Sequence, residues 1–317
     1  MRLATSERLQ SLLLQAELPG PLYEQASAVV AKAMDTYRAV PAWPIPELPR
    51  RCLSALGAPE AVSEAAAVAA VLFYGASDII DDAQDGELEA HPYWPGGSWQ
   101  EAVNTGNMLL FLSGRAIAEA GLPQDVAARW HGAFAEAGVR LARGQALDMG
   151  ATADAPYDEA TVEAVTRDKA GAAWRCLISL GPLWQGAASE RAAAFGAVGE
   201  RLGMAHQLAS DIWPYLLPGP QADLATGKLT LPLYFAREAD PAIGRLWRAG
   251  PLDAAGQEAL RERVLATGAI MYAQMRVEVW KKEAQDALLA LEVPSLAAEM
   301  AGLIDMVTFE RAAGPGA

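Results

Sequence analysis

The chain has 317 residues, of which 52% are hydrophobic and 20% charged, and its formal net charge is −14. The length suffices for a large core, and the negative charge argues against nucleic acid or an anionic membrane surface as a partner. Cys52 and Cys176 are too few for a disulfide framework, which favours a reducing cytoplasm. The N-terminal segment carries no apolar run long enough for a signal peptide, so we expect a soluble protein.

The first part of the chain is predicted to form helices and one stiff connector. Leucines recur at helical spacing over residues 9–13, and a second helical segment runs from residue 21 to about 40. The proline-rich residues 41–49 predict a connector. A short helix is expected near residues 50–56, followed by a buried helix that begins near residue 61.

The rest of the chain is also helical in pattern. Ser98 has the position of an N-cap. The later helices are expected over residues 99–120, 123–149, 158–182 and 189–214, in a short segment after residue 230, and in two long helices that fill the remainder. Without strand-like alternation or a repeat, we predict an all-α bundle that forms a single domain over residues 1–317.

Four aspartates close the apolar helix that begins near residue 61: Asp78, Asp81, Asp82 and Asp85. At ~100° per residue they fall within an arc of roughly 100° on one helix face. Like charges so placed oppose the helix, which predicts a cation among them, and carboxylate oxygens suit Mg²⁺. The alternative is a solvated acidic helix end. A membrane span is disfavoured because the run contains Glu64 and ends in four acids.

A second acidic site lies late in the chain. Gln207 and Asp211 share a helix face at i,i+4 spacing, at the end of another apolar helix. Alone, such an acid is typical of an ordinary helix end. Together with the first cluster, it predicts two helices that face each other and hold metal between them.

Asp81-Asp82-x-x-Asp85 resembles the first aspartate-rich motif of the trans-isoprenyl diphosphate synthases (polyprenyl synthetases) and of related class I terpene synthases. Three more segments, besides the second acidic site, are similar to the family's motifs and follow the family's order: Gly144-Gln145-Ala146-Leu147-Asp148, Lys169-Ala170-Gly171, and Asp223-Leu224-Ala225-Thr226-Gly227-Lys228-Leu229-Thr230-Leu231-Pro232. The resemblance implies an isoprenoid synthase-type helical bundle around a central apolar cavity, and a homodimer.

The resemblance also implies a prenyl diphosphate substrate and more than one Mg²⁺ ion. The catalytic residues it implies are four metal-binding acids and two diphosphate-binding lysines: Asp81, Asp82, Asp85, Asp211, Lys169 and Lys228. Substrate would further contact Phe73, Ala76, Ser77, Gln145, Gln207, Trp174 and Trp213. The small Ala76 and Ser77 leave depth for a C15 or C20 tail.

Two departures from the family bear on the reaction. Elongating members bind isopentenyl diphosphate through basic segments on both sides of the first motif, whereas residues 52–114 here contain no Lys or Arg. Ser210 and Pro214 replace two acids of the second motif. These departures favour a terpene synthase that ionises one prenyl diphosphate and then cyclises it or quenches it with water.

Two alternatives remain open at the level of sequence. One is a prenyltransferase, either an elongating enzyme with a rebuilt second site or one that prenylates a different acceptor such as a peptide tryptophan. The other is a non-catalytic subunit that binds prenyl diphosphate. Retention of the acids and lysines disfavours this last alternative.

Overall fold

The structure is a computed structural model that describes residues 2–35, 45–91, 93–217, 219 and 221–307. These residues form α1 (Arg2–Gln15), α2 (Gly20–Asp35), α3 (Glu47–Ala55), α4 (Glu60–Asp85), α5 (Trp99–Ala118), α6 (Gln124–Asp148), α7 (Glu159–Thr166), α8 (Ala172–Trp184), α9 (Ser189–Leu216), α10 (Ala222–Thr226), α11 (Leu231–Ala239), α12 (Ala254–Ala266), α13 (Ala269–Ala290) and α14 (Pro294–Met306). The described residues contain no β-strand, so the predicted all-α class is confirmed.

Helix α4 runs through the interior and ends at the first aspartate cluster. Its residues from Ala66 to Phe73 are all buried, since small and apolar side chains occupy every face of these turns. It packs against α2, α3 and α5. The contact with α5 is close because Gly106 has no side chain, and a Cβ there would lie 2.5 Å from Ile80. The acids at the end of α4 are therefore positioned by a closely packed, buried helix.

Helices α8 and α9 pack with their backbones in unusual proximity. A Cβ on Gly199 would lie 2.3 Å from the carbonyl oxygen of Trp174, and one on Gly203 would lie 2.9 Å from that of Ala170. Glycine is required at both positions to let the helices approach. This contact fixes the end of α9, which carries Gln207 and Asp211, relative to the helices on the other side of the cavity.

A five-residue π-helix, Arg167–Gly171, joins α7 to α8. Asp168, buried within it, accepts hydrogen bonds from Arg140 (3.0 Å) and Arg143 (2.6 Å) of α6. On the same side, a Cβ on Gly144 would lie 2.8 Å from the backbone nitrogen of Lys169. The π-helix is thus held tightly on α6.

Most predicted helix positions agree with the structure within a few residues. Ser98 caps α5 in a full capping box with Glu101. Both predicted helix ends at prolines were too early: α8 continues past Pro182 and α9 past Pro214. Three helices, α12 to α14, fill the end of the chain where two were expected. Residues 41–44 of the predicted proline connector lie outside the described residues, and residues 47–49, also predicted as connector, belong to α3 instead.

Candidate active site at the ends of α4 and α9

The four aspartates of α4 divide into two pairs with different partners. Asp81 and Asp85 face Lys169 and Lys228, whereas Asp78 and Asp82 both bind Lys32 of α2, at 2.7 and 3.0 Å. An arc of roughly 100° is wide enough for i,i+4 pairs to point to different neighbours. The single acidic face expected from the sequence is therefore two adjacent sites.

The Asp81–Asp85 pair belongs to a compact network of ions. Lys169 Nζ lies 2.9 Å from Asp81 and 2.5 Å from Asp148. Lys228 Nζ lies 2.6 Å from Asp85 and 2.9 Å from the same Asp148 oxygen. Asp148, at the end of α6, thus bridges the two lysines. The motifs on α4, on α6, in the π-helix and before α11 meet at one place.

Backbone pairing positions Lys228. Its residue forms an isolated antiparallel bridge with Thr152, and the neighbouring Leu229 N–H donates to Ala151 O at 2.7 Å. Gly227, just before it, has a φ of +68° that favours glycine. A Cβ there would also collide with Trp247. The loop is therefore fixed from both sides.

Asp211 approaches the network from α9. Gln207 Nε2 donates to its Oδ1 at 2.9 Å. Burial raises the pKa of Asp211 to about 7, against the Gln207 hydrogen bond, and the negative charges of Asp223 and Asp148 add to the rise while Lys228 opposes it. A nearby cation would stabilise the ionised form of this buried carboxyl group and lower its pKa.

The pKa values of the α4 acids show how much charge is concentrated here. Burial raises the pKa of Asp81, and the opposing Lys169 does not fully compensate. For Asp85, burial acts in the same direction, but the hydrogen bond and charge of Lys228 hold its pKa below the usual value. Burial raises the pKa of Asp223 as well.

A cavity of about 360 Å³ adjoins the network. That volume lies within the range of roughly 300–1,000 Å³ that is typical of small-molecule sites. Its polar lining includes Asp81, Gln145 and Lys169 from the network side. Its apolar and aromatic lining comes from α4, α5, α6 and α8, with Phe73, Leu110, Leu141, Ala142, Met149, Ala173 and Trp174.

The family model for polyprenyl synthetase matches residues 55–259, about two thirds of the chain. The chain belongs to the polyprenyl synthetase family. Geranylfarnesyl diphosphate synthase from Aeropyrum pernix is 28% identical over 248 residues, covering 73% of this chain and 74% of that protein.

Solved structures agree on the fold. A crystal structure of a geranylgeranyl pyrophosphate synthase superposes with a TM-score of 0.83 at 16% identity, with 98% of both chains covered. The polyprenyl synthetase from Streptomyces coelicolor A3(2) gives a TM-score of 0.80 at 22% identity, with 97% of both covered. The predicted isoprenoid synthase-type bundle is thereby confirmed.

The donor groups of this polyprenyl synthetase site fit Mg²⁺. The carboxylates of Asp81, Asp85, Asp148, Asp211 and Asp223 outnumber the two lysines by three, so an ionised site has negative charge to spare. The Gln145 side chain donates to Asp85 at 2.9 Å, while its own Oε1 is buried without a hydrogen-bond partner among the described residues. Hard oxygen donors with an unsatisfied acceptor suit a hard divalent ion.

Three of the residues predicted to contact metal or substrate have their described contacts outside the cavity, and their predicted roles stay predictions. Asp82 turns to Lys32, as described above. Ala76 is fully buried where α4 packs against α5. Trp213 is absent from the described lining of the cavity, whereas Phe73, Ser77, Gln145, Gln207 and Trp174 line it.

The sequence missed other residues of the site. Asp148 and Asp223 stand inside quoted motifs, so their role was open to prediction from the motifs themselves. Lys32 carried no motif signal, because only the packing of α2 on α4 brings it to the site. His206 heads the second acidic segment, next to Gln207, but was given no role of its own.

Among the described residues, one helix is long and apolar enough to cross a membrane by length and composition, and it is α4. Two thirds of its most apolar stretch, 67%, is buried inside the protein. Its apolar character is therefore accounted for by its place in the core.

Proposed function

We propose that the chain is a Mg²⁺-dependent prenyltransferase, which ionises a C15 or C20 allylic prenyl diphosphate and transfers the prenyl group to a second substrate. The observation that carries this proposal is the meeting of Lys169 and Lys228 with Asp81, Asp85 and Asp148 beside an apolar cavity. Such a site offers cations to a diphosphate and a dry space to a hydrocarbon tail.

When the prenyl diphosphate is bound, Lys169 and Lys228 exchange their carboxylate partners for phosphate oxygens. They donate charge-assisted hydrogen bonds to these oxygens. The freed Asp81 and Asp85, together with Asp211 of α9, are the residues that would hold the metal. When bound, Mg²⁺ supplies positive charge that neutralises the departing diphosphate. The lysines and the metal-holding acids therefore act on the same bond, the one between the prenyl carbon and the diphosphate oxygen.

The cavity walls serve the prenyl cation that this step leaves. Phe73 stands edge-on to Phe134 with ring centroids 5.1 Å apart, and Trp174 lies beside His206 at 5.2 Å. Aromatic faces stabilise a nearby cation by ~1–2 kcal/mol where water is excluded. Phe73 and Trp174 thus hold the tail and keep water from its reactive end.

The comparisons support prenyl transfer better than the cyclisation that the sequence favoured. The curated relative is a geranylfarnesyl diphosphate synthase, and the solved structures include synthases of geranylgeranyl, heptaprenyl and decaprenyl diphosphates. These names support isopentenyl diphosphate as the acceptor, so that the product is a longer prenyl diphosphate.

A terpene synthase remains a second candidate because of the charges around α4. Arg50 and Arg51 are the cations nearest in sequence to the missing basic segment. Arg50 is buried and bound to Glu64, Glu47 and Thr5, and Arg51 lies within 4 Å of Glu47 and Glu299. Lys32 is occupied by two aspartates. A second diphosphate on this side of α4 would lack counter-charge among the described residues.

Incubation with Mg²⁺ and geranyl, farnesyl or geranylgeranyl diphosphate, each with and without isopentenyl diphosphate, tests the proposal. We expect a longer prenyl diphosphate only when isopentenyl diphosphate is present. Hydrocarbon or alcohol formed from the allylic diphosphate alone would establish the second candidate instead. Tight binding of the allylic diphosphate without turnover would show a non-catalytic binding subunit and refute both.

Two broader properties belong to the same proposal. We expect a homodimer, supported by the exposed apolar side chains of Phe111 on α5 and Val139 on α6. We also expect the protein to work in the cytoplasm, supported by two buried cysteines that form no disulfide, Cys52 and Cys176.

A further inference from the structure

His206 lies on α9, in the wall of the cavity and next in sequence to Gln207. Its ring is tilted by 38° against that of Trp174, at a centroid distance of 5.2 Å. The side chain is enclosed by protein yet retains accessible surface, and that surface faces the cavity. The imidazole is therefore positioned to touch the prenyl tail.

Within the described part of the chain, neither ring nitrogen of His206 has a hydrogen-bond partner. The ring packs against Trp174. Burial lowers the pKa of His206 to about 4. The ring is therefore neutral at pH 7. One of its nitrogens carries a lone pair that no group among the described residues uses.

Other titratable groups on the cavity wall are not available as bases. Asp78 is bound to Lys32 at 2.7 Å, and Asp81 is one of the acids that would hold the metal. Burial raises the pKa of Tyr74, which keeps its hydroxyl protonated. His206 is thus the described group in this wall that combines an uncommitted lone pair with direct access to the substrate space.

Resting on the proposed function, we propose that His206 is the general base that ends the reaction by removing a proton from the carbocation. The bond between the allylic carbon and the diphosphate oxygen breaks, and both electrons leave with the diphosphate. The π electrons of an alkene, in the second substrate or in the same chain, form the new carbon–carbon bond and leave a new cation. A neighbouring C–H bond then supplies the electrons of a double bond, and its proton passes to the free nitrogen of His206. The imidazolium afterwards returns this proton to diphosphate or water.

The decisive experiment compares His206→Phe with the wild-type enzyme and measures diphosphate release and organic products in the same reaction. Phenylalanine keeps a ring against Trp174 but removes the lone pair. His206→Asn is the second variant, in case the first does not fold. His131→Phe is the matched control, since His131 is an exposed histidine on α6. A positioned base contributes about 10²–10⁴-fold to the step it serves.

We expect His206→Phe to release diphosphate within about tenfold of the wild-type rate, because ionisation does not use the base. The ratio of alkene products, elongated or cyclised, to alcohols formed by water capture should fall at least about tenfold, while His131→Phe keeps the wild-type ratio.

Two outcomes would overturn the assignment alone. Wild-type product ratios in both His206 variants would show that another base takes the proton. Loss of diphosphate release in both folded variants would show that His206 serves binding or ionisation instead. A wild-type enzyme that releases no diphosphate from any allylic substrate would overturn the proposed function, and this assignment with it.

Discussion

At the scale of one residue, the buried carboxyl group of Asp211 shows why the site favours a bound cation. Burial, with the charges of Asp223 and Asp148, raises its pKa to about 7 against the opposing hydrogen bond from Gln207. Its folded-state pKa thus lies above the ordinary value of 3.8. The folded protein therefore holds this proton more tightly than the unfolded chain does, and stability is lost as pH rises from about 4 through 7.

Asp211→Asn should remove this pH dependence in metal-free protein. We expect wild type to lose stability relative to the variant between pH 5 and pH 8, by roughly 2–3 kcal/mol, because only wild type must bury a charge. Urea unfolding in EDTA measures the difference. MgCl₂ should restore wild type at pH 8 and leave the variant unchanged; parallel pH profiles of the two proteins would refute the prediction.

Asp81 and Asp82 are adjacent in sequence but serve different partners, which makes them a matched pair. Asp81→Asn should lower kcat/KM for Mg²⁺-dependent diphosphate release by about 10²–10³, since a charge held against the leaving group is worth several kcal/mol. Asp82→Asn should lower it by less than about tenfold, because its carboxylate binds Lys32. Equal losses would show that both acids serve the leaving group.

The motifs predicted Asp81, Asp85, Lys169 and Lys228, since their types and order are visible in the chain. Their separation from Asp78 and Asp82 was not visible, because helical spacing fixes relative angles but not the neighbour that each angle meets. Lys32 stands 50 residues before Asp82 and reaches it only through the packing of α2 on α4.

At the scale of elements, the site depends on helices that approach closely at glycines. The π-helix that carries Lys169 lies on Gly144, and α9 reaches α8 through Gly199 and Gly203. The sequence predicted one helix over residues 158–182 because its composition is continuously helical. A π-helical insertion has no clear compositional signal, and neither does the continuation of a packed helix through Pro182 or Pro214.

Gly199→Ala tests the close contact of α8 and α9. Its Cβ would lie 2.3 Å from the Trp174 carbonyl oxygen, so one helix must shift. We expect a loss of roughly 1–3 kcal/mol in unfolding free energy by urea denaturation. Gly132→Ala is the control: nothing lies within 4 Å of its Cβ, and a gain of about 0.4–1 kcal/mol is expected. Equal stability of the two variants would contradict the packing described here.

At the scale of the whole molecule, a strongly acidic chain leaves large apolar side chains exposed. The chain carries a net charge of −14, yet Phe111 on α5 is 81% exposed. Large apolar side chains left in water favour association between copies. The described helices thus offer a surface for the proposed homodimer on α5, outside the cavity.

Phe111→Lys should shift the protein from dimer to monomer, measured by light scattering after size exclusion at micromolar concentration. Burying an ammonium group in an apolar contact costs far more than burying the Phe111 ring. Leu289→Lys is the matched control, since Leu289 is 66% exposed on α13, and it should leave the dimer intact. A dimeric Phe111→Lys variant would place the interface elsewhere.

The most direct test of the site is anomalous diffraction from crystals grown with Mn²⁺, in place of Mg²⁺, and a non-reactive thiolodiphosphate analogue of the substrate. We predict metal peaks between Asp81 or Asp85 of α4 and Asp211 of α9, with Lys169 and Lys228 turned to the phosphate oxygens and the tail in the cavity. Metal bound only at Asp78, Asp82 and His91, whose ligand atoms lie within 4.8 Å of one another, or no metal at Asp81, would contradict this account.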